Sequence, residues 1–345
     1  MRSTISIRGV ILFWLAAWVA VCAAAETGDG AMAPWREAVS ESFQTYDVVL
    51  QPDELKPEWW AGAPSVVRDE QGVFWMACRM RSADLPRGLR GYEIRLLRSE
   101  DGISFEAVHR IRNDDVPMRG FERPALLLDP DTGQFKLYLC GPWQDGPWCI
   151  LKLDDAPTPA QFDPATIRPV ITARDKTYER EIRPHEYKDP VVIYAQGAYH
   201  AYVIGYLRRN ERIYHFTSAD GERWQPVGSH HTSIMPLAGW HDFFVRPASL
   251  LPVGAGYLFI YEGSRVAWHD PVYNICTGLG FTFDLHGVTD LTPQQPLVCS
   301  STPSEQFATF RYSDWLWVDD EVWVYAEVAT PQNYHEIRRY TLHVK

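Results

Sequence analysis

The stretch YKDPVVIYAQGAYHAYVIGY, Tyr187 to Tyr206, decides the fold. It carries a proline, a short apolar run, a glycine turn and a second, aromatic-rich apolar run. Two such runs joined by a glycine turn read as a β-hairpin. Outside this stretch the same device recurs as WAGAPSVVRDEQGVFWMACR (60–79), FERPALLLDPDTGQFKLYLCG (121–141) and FVRPASLLPVGAGYLFIYEG (244–263). A copy without the proline, FRYSDWLWVDDEVWVYAEVA, starts at Phe310. The prolines stand at 64, 124, 190 and 247, intervals of 60, 66 and 57 residues.

Self-similarity at a fixed interval identifies one repeated supersecondary unit. Each unit continues into a third strand. Two units close it with a Ser-x-Asp-Gly turn, in RLLRSEDGISF (95–105) and YHFTSADGERW (214–224). A fourth strand follows. Four antiparallel strands per unit and five units predict an all-β, five-bladed β-propeller. The expected blades are 56–112, 113–173, 174–229, 230–299 and 300–345. The last stops after its third strand, EIRRYTLHVK, so SFQTYDVVLQP (42–52) is expected to supply its outer strand and close the ring.

The chain has 345 residues, 46% of them hydrophobic and 22% charged, enough apolar mass for one large core without a disordered block. Its net charge of −11 argues against a nucleic-acid partner. Arg2 and Arg8 precede an apolar run (10–21) and then Ala23-x-Ala25, the pattern of a secretory signal over 1–25 cleaved before Glu26. Residues 26–345 are then a single exported domain, secreted or periplasmic, without a membrane span and expected as a monomer. Cys22 leaves a lipoprotein as the alternative. Of the remaining cysteines, Cys78, Cys140, Cys149, Cys276 and Cys299, the odd number leaves at least one unpaired. Small buried hydrophobes are the preferred reading, although spacing allows Cys140–Cys149 and Cys276–Cys299 bridges.

In each blade the proline is expected to start the innermost strand, where its missing N–H is not needed. The residues before it then ring the central channel on one face: Ala63, Arg123, Asp189, Arg246 and, in the last copy, the stretch from Tyr312 to Asp314. A scaffold that repeats while this position varies points to a site. The loops of the same face hold the acids Glu58, Glu122, Glu186, Asp189, Asp242, Glu262 and Glu327. They also hold the cations Arg79, Arg81, Arg123, Arg183, Lys188 and Arg246, and the aromatics Trp59, Trp60, Trp143, Trp148, Trp240 and Trp268. Carboxylates with tryptophan suit a sugar, whose C–H faces pack on rings and whose bond cleavage uses two carboxyls, one protonated and one ionised. Two inner-sheet strands leave a Glu at the same exit, Glu262 in YLFIYEG and Glu327 in VWVYAEV. The scattered histidines form no HxH or HExxH, so neither a metal nor another cofactor is expected.

These repeats, the Ser-x-Asp-Gly turns and KDP at 188–190 resemble the five-bladed propeller glycosidases. These are the arabinanase and xylosidase group, the invertase and fructanase group, and the mannoside phosphorylases (glycoside hydrolase families 43, 32 and 130). The resemblance implies that Asp189, in a motif similar to the invertase Arg-Asp-Pro, is a transition-state-stabilising carboxylate. The other family positions depart from the pattern: Ala63 in the first blade, Arg123 in the second, and Val245-Arg246 in the fourth. Two readings follow. In one, neighbouring acids have taken over and the chain hydrolyses a glycosidic bond in a funnel on the loop face. Asp189, Glu122 and Glu262 are then the catalytic candidates, and Arg123, Arg246, Lys188, Trp59, Trp60 and Trp240 the substrate-binding ones. Arg123 and Arg246 would suit an acidic or sulfated sugar, or else neutralise Glu122 and Asp189. In the other reading the protein is a carbohydrate-binding propeller that has lost its chemistry.

Overall fold

The computed structural model describes residues 39–342 except 87, 174–183, 208–209, 229–231 and 303–305. The expected signal segment and Arg183 lie outside the described residues.

The described chain is built from short antiparallel hairpins in four-stranded groups, and a single parallel pair, Trp60 with His335, joins the first and last groups into one eight-stranded sheet. The first group is β2 (Trp60–Arg68), β3 (Phe74–Arg81), β4 (Gly91–Ser99) and β5 (Glu106–Arg112). The second is β6 (Ala125–Leu128), β7 (Phe135–Pro142), β8 (Trp148–Lys152) and β9 (Arg168–Ile171). The third is β10 (Tyr187–Ala195), β11 (Ala198–Leu207), β12 (Asn210–Ser218) and β13 (Gln225–Pro226). The fourth is β14 (Phe244–Val253), β15 (Gly256–Ser264), β16 (Cys276–Thr282) and β17 (Thr289–Asp290). The last run, β18 (Phe310–Val318), β19 (Glu321–Ala329) and β20 (His335–Leu342), receives β1 (Asp47–Leu50) as an antiparallel neighbour of β20. Asp47 reinforces that pairing by accepting from Arg339 at 2.6 Å.

Hydrophobic cores lie between successive groups, because each sheet buries both faces. Leu96 of β4 meets Leu137 and Leu139 of β7, and Tyr138 of β7 meets Val203 and Phe216 of the third group. Val66 and Met76 of the first group share a core with Val318 and Tyr325 of the last. Phe43, just ahead of β1, is fully buried with Phe310, Trp315 and Tyr340.

The turns carry a second linkage between groups. In Ser99–Gly102 the serine oxygen accepts the Asp101 and Gly102 N–H groups, and the Asp101 carboxylate accepts those of Ile103 and Ser104. Ser218–Gly221 repeats this. A third turn, Thr282–Leu285, is built the same way around Asp284, with Leu285 at φ 66° where the others have glycine. The leucine hides it from a search for Asp-Gly. Each turn offers one carbonyl to a tyrosine of the neighbouring group: Tyr325 to Gly102, Tyr138 to Gly221 and Tyr202 to Leu285, at 2.7–2.9 Å.

Two expectations are corrected. The prolines mostly do not open the inner strands. Pro64, Pro190 and Pro247 sit inside β2, β10 and β14 at a break in register, and Pro124 alone precedes its strand. At Pro64 and Pro190 the break leaves the proline out of the ladder, so its missing N–H costs nothing, whereas Pro247 stays in register opposite Tyr261 with the break just after it. The preference for five unpaired cysteines fails in part. Cys276 and Cys299 form a disulfide, tying the start of β16 to the segment after β17, while Cys78, Cys140 and Cys149 are buried thiols. Among the described residues no helix is long and apolar enough to cross a membrane.

Candidate active site

The register breaks create the site. At three of them a non-glycine residue is forced into the left-handed region: Ala63 (φ 53°), Asp189 (φ 53°) and Tyr312 (φ 50°). Such residues cost about 1–3 kcal/mol each unless their surroundings hold them. The holder is in every case a side chain from the second strand of the preceding group. Glu327 of β19 accepts the Ala63 N–H at 3.1 Å, Glu262 of β15 accepts that of Tyr312, and the Cys140 sulfur of β7 accepts that of Asp189 at 3.2 Å. The repeated glutamate exit noted in the sequence is therefore a structural device as well as a chemical one.

Tyr312 joins the carboxyls. Its hydroxyl donates to Asp189 Oδ2 at 3.0 Å and its N–H to Glu262 Oε1. The guanidinium groups of Arg311, Arg79 and Arg123 lie 4.9, 5.6 and 5.9 Å from its ring centre. Arg79 is fully buried and bridges Glu122 and Glu327, the latter at 2.9 Å. Arg311 and His335 Nδ1 also reach Glu327, each at 2.7 Å. Arg246 and Lys188 share Glu211, a buried residue of β12. Arg123 reaches from the second group to the fourth. Its backbone N–H donates to Asp189 at 3.2 Å, and its guanidinium donates to the carbonyls of Pro247 and Ala248. It caps a cavity of about 160 Å³ lined by Ser65, Leu126, Val192, Ser249 and Asp314 from the inner strands.

The carboxyls differ because their compensation differs. Burial pushes Glu262 up to about 7, against the pull of Arg123, Arg246 and Arg311. Glu262 Oε2 is buried without a hydrogen-bond partner, so the ionised form is poorly paid for. Burial opposes ionisation of Glu122 and Glu327 too, but nearby arginines outweigh it. Arg79, Arg81 and Arg311 hold Glu122 below the ordinary range; Arg311, Arg79 and His335 hold Glu327 well below it. Glu211 is held down to about 2, because Arg246 and Lys188 outweigh its burial. Burial pulls His335 down to about 4, so the neutral ring donates from Nδ1 to Glu327.

The structure thus brings Asp189, Glu122, Glu262, Arg123, Arg246 and Lys188 into one connected constellation, with Glu122 the carboxyl most open to solvent at 16%. Both Nη groups of Arg123 are taken up by backbone carbonyls, Arg246 is held on Glu211 through Nε, and neither arginine pairs directly with Glu122. Trp60 and Trp240 are buried. Trp60 stacks on His335 at 4.0 Å, and Trp240 stacks on Tyr261 while donating to the Thr292 carbonyl. Neither offers a ring face to solvent. Trp59 is half-buried, its ring edge-on to Tyr92. Glu58 pairs with Arg90 and Asp242 accepts the Val266 N–H, both ordinary loop roles. Sequence reasoning missed Arg311 and Glu211. Glu211 lies in GYLRRNER (205–212), but nothing local marks it as the partner of Lys188 and Arg246. Among the described residues no group of three or more His, Cys, Asp or Glu side chains is arranged to hold a metal ion.

No family model matches the sequence, and no curated protein does. Solved structures do. The β-1,2-mannobiose phosphorylase from Listeria innocua superposes with a TM-score of 0.63 at 12% identity, over 86% of this chain and 94% of that one. The α-L-arabinofuranosidase from Lactobacillus brevis gives 0.59 at 14%, over 84% and 92%. The fold is that of the propeller glycosidases. The GH43_1 enzyme from Xanthomonas citri, solved with xylotriose, adds a third case at 0.57 and 13%, over 89% and 92%. The resemblance expected from the repeats holds at the level of fold. At these identities the chemistry rests on the site itself.

Proposed function

We propose that the protein is a glycosidase-like enzyme that cleaves a glycosidic bond at the constellation around Tyr312. The observation that carries this reading is the split between two of its carboxyls. Glu262 is pushed up to about 7 and is poised to carry a proton, while Glu122 is held ionised by Arg79. Environments that drive two carboxyls apart are how acid and base roles are divided at one pH. Glu262 is the proton donor, Glu122 the ionised partner facing solvent, and Asp189, oriented by the Tyr312 hydroxyl, the carboxylate that stabilises positive charge on the sugar ring. Trp59 supplies the stacking surface.

The test is a panel of oligosaccharides, with and without phosphate, against wild type, E122Q, E262Q and D189N. Turnover falling about 10²-fold or more in these variants supports the roles. The second reading, a carbohydrate-binding propeller without chemistry, is favoured by Ala63, Arg123 and Arg246 standing where the resemblance expects acids. Binding without cleavage across the panel would select it.

The architecture in this reading is five blades in a closed ring. It is supported by the core shared between the first and last groups and by the seating of β1 on β20. Export, to a periplasm or out of the cell, is part of the same proposal and fits the Cys276–Cys299 bridge, since disulfides persist in oxidising compartments. The protein would act there as a monomer on an oligosaccharide or polysaccharide, needing no cofactor.

A further inference from the structure

The positive charge of the site is not balanced. Arg79, Arg81 and Arg311 stand against two carboxylates, Glu122 and Glu327, and both of these are engaged by Arg79. The surplus falls on Arg81, at the end of β3. It is 4% exposed, and among the described residues no carboxylate pairs with it. Among the described residues its side chain makes one hydrogen bond, a long one from Nη2 to the Tyr273 hydroxyl at 3.4 Å, and its Nε is buried without a partner. Burial disfavours the charged form of Arg81, and the charge of Glu122, which makes no direct ion pair with it, offsets that cost only in part. The protein as a whole carries a charge of −11, so this local excess runs against its background.

The way Arg81 is held shows what it can do. Its guanidinium carbon lies over the Trp60 ring, 3.7 Å from the ring centre, a stacking distance. Trp60 is itself fixed by stacking on His335 and by edge contacts with Tyr273 and Phe307. Stacking occupies the face of the guanidinium and leaves its edge, where the N–H donors lie in a planar fork suited to a carboxylate or sulfate. A clamp that fixes the plane and leaves the donors unfilled is preorganised for a bidentate acceptor.

We propose that Arg81 is the anchor for an anionic substituent, a uronate carboxylate or a sulfate ester, on the sugar taken by this site. The inference rests on the reading of the constellation as a sugar site and names its substrate class. It also moves the anion-recognising role from Arg123, held by two carbonyls, and Arg246, ion-paired with Glu211, to a cation that has no direct ion pair among the described residues.

The test is calorimetric titration at constant ionic strength. The probes are the methyl glycosides of glucuronate, galacturonate, glucose and galactose, together with glucose 6-sulfate, galactose 6-sulfate and inorganic sulfate. At least one anionic sugar should bind about tenfold or more tightly than its neutral counterpart, and R81M should bring that ratio close to one. R81K keeps the charge but loses the planar fork, so the ratio should fall between the two. The carboxylate and sulfate arms tell which anion is read. A ratio near one in wild type, or a ratio unchanged in R81M, overturns the proposal. If R81M does not fold, the wild-type arms and R81K decide. Anionic preference lost in R81 variants, without cleavage of any substrate, would keep this inference and remove the hydrolytic reading. Cleavage of neutral glycosides with a ratio near one would do the reverse.

Discussion

Replacing Glu262 by glutamine should change how the stability of the protein depends on pH, and the size of the change follows from its surroundings. Glu262 is fully buried; one oxygen accepts the Tyr312 N–H and the other has no partner. Burial raises it from the ordinary 4.5 to about 7 despite three arginines nearby. Below 4.5 the carboxyl is protonated in both folded and unfolded chains and costs nothing. Between 4.5 and 7 the unfolded chain ionises first, so stability drains away as pH rises. Above 7 the folded protein carries a buried anion, at a cost of about 3 kcal/mol. E262Q keeps an oxygen for the Tyr312 N–H but cannot ionise. The assay is urea unfolding of both proteins from pH 4 to 8. The free-energy difference between E262Q and wild type should shift by about 3 kcal/mol in favour of the variant across that window. Contributions from other groups cancel in the difference. Two curves that stay parallel would refute the reasoning, and with it the protonated Glu262 on which the proposed acid role depends.

Three further outcomes follow from the packing. Deleting residues 42–50 removes β1 and the buried Phe43, leaving the β20 edge bare, and should lower the melting temperature by several degrees or more in a thermal scan. C276S/C299S opens a bridge between residues 23 apart in sequence and should cost about 3 kcal/mol in denaturant unfolding, with reductant reproducing the loss in wild type. Tyr202→Phe leaves the Leu285 carbonyl without its donor and should destabilise by about 1 kcal/mol, whereas Tyr257→Phe, outside this linkage, should cost less.

Much of the architecture was legible because it is local. Proline, apolar run, glycine turn and aromatic strand lie within about 20 residues, and turn chemistry such as Ser99–Gly102 or Ser218–Gly221 is set by side chains two or three positions apart. The Thr282–Leu285 turn escaped only because Leu285 takes the left-handed conformation in place of glycine. The repeat also singled out Asp189, Glu262 and Glu327 by position alone.

What the sequence by itself determined, then, was the repeating unit, its strand order and the places where unusual residues line one face. Only the tertiary structure decided what those residues do. Arg79 and Glu327 are 248 positions apart, and Tyr312 and Asp189 are 123 apart. No periodicity records which carboxyl is matched by a cation and which is not. That matching makes Glu122 an anion, leaves Glu262 protonated near neutrality, ties Arg123 to carbonyls and Arg246 to Glu211, and leaves Arg81 without a direct ion pair among the described residues. It arises because charge and burial are settled between strands that meet only when the sheets assemble, where desolvation is large and each missing partner is felt in full.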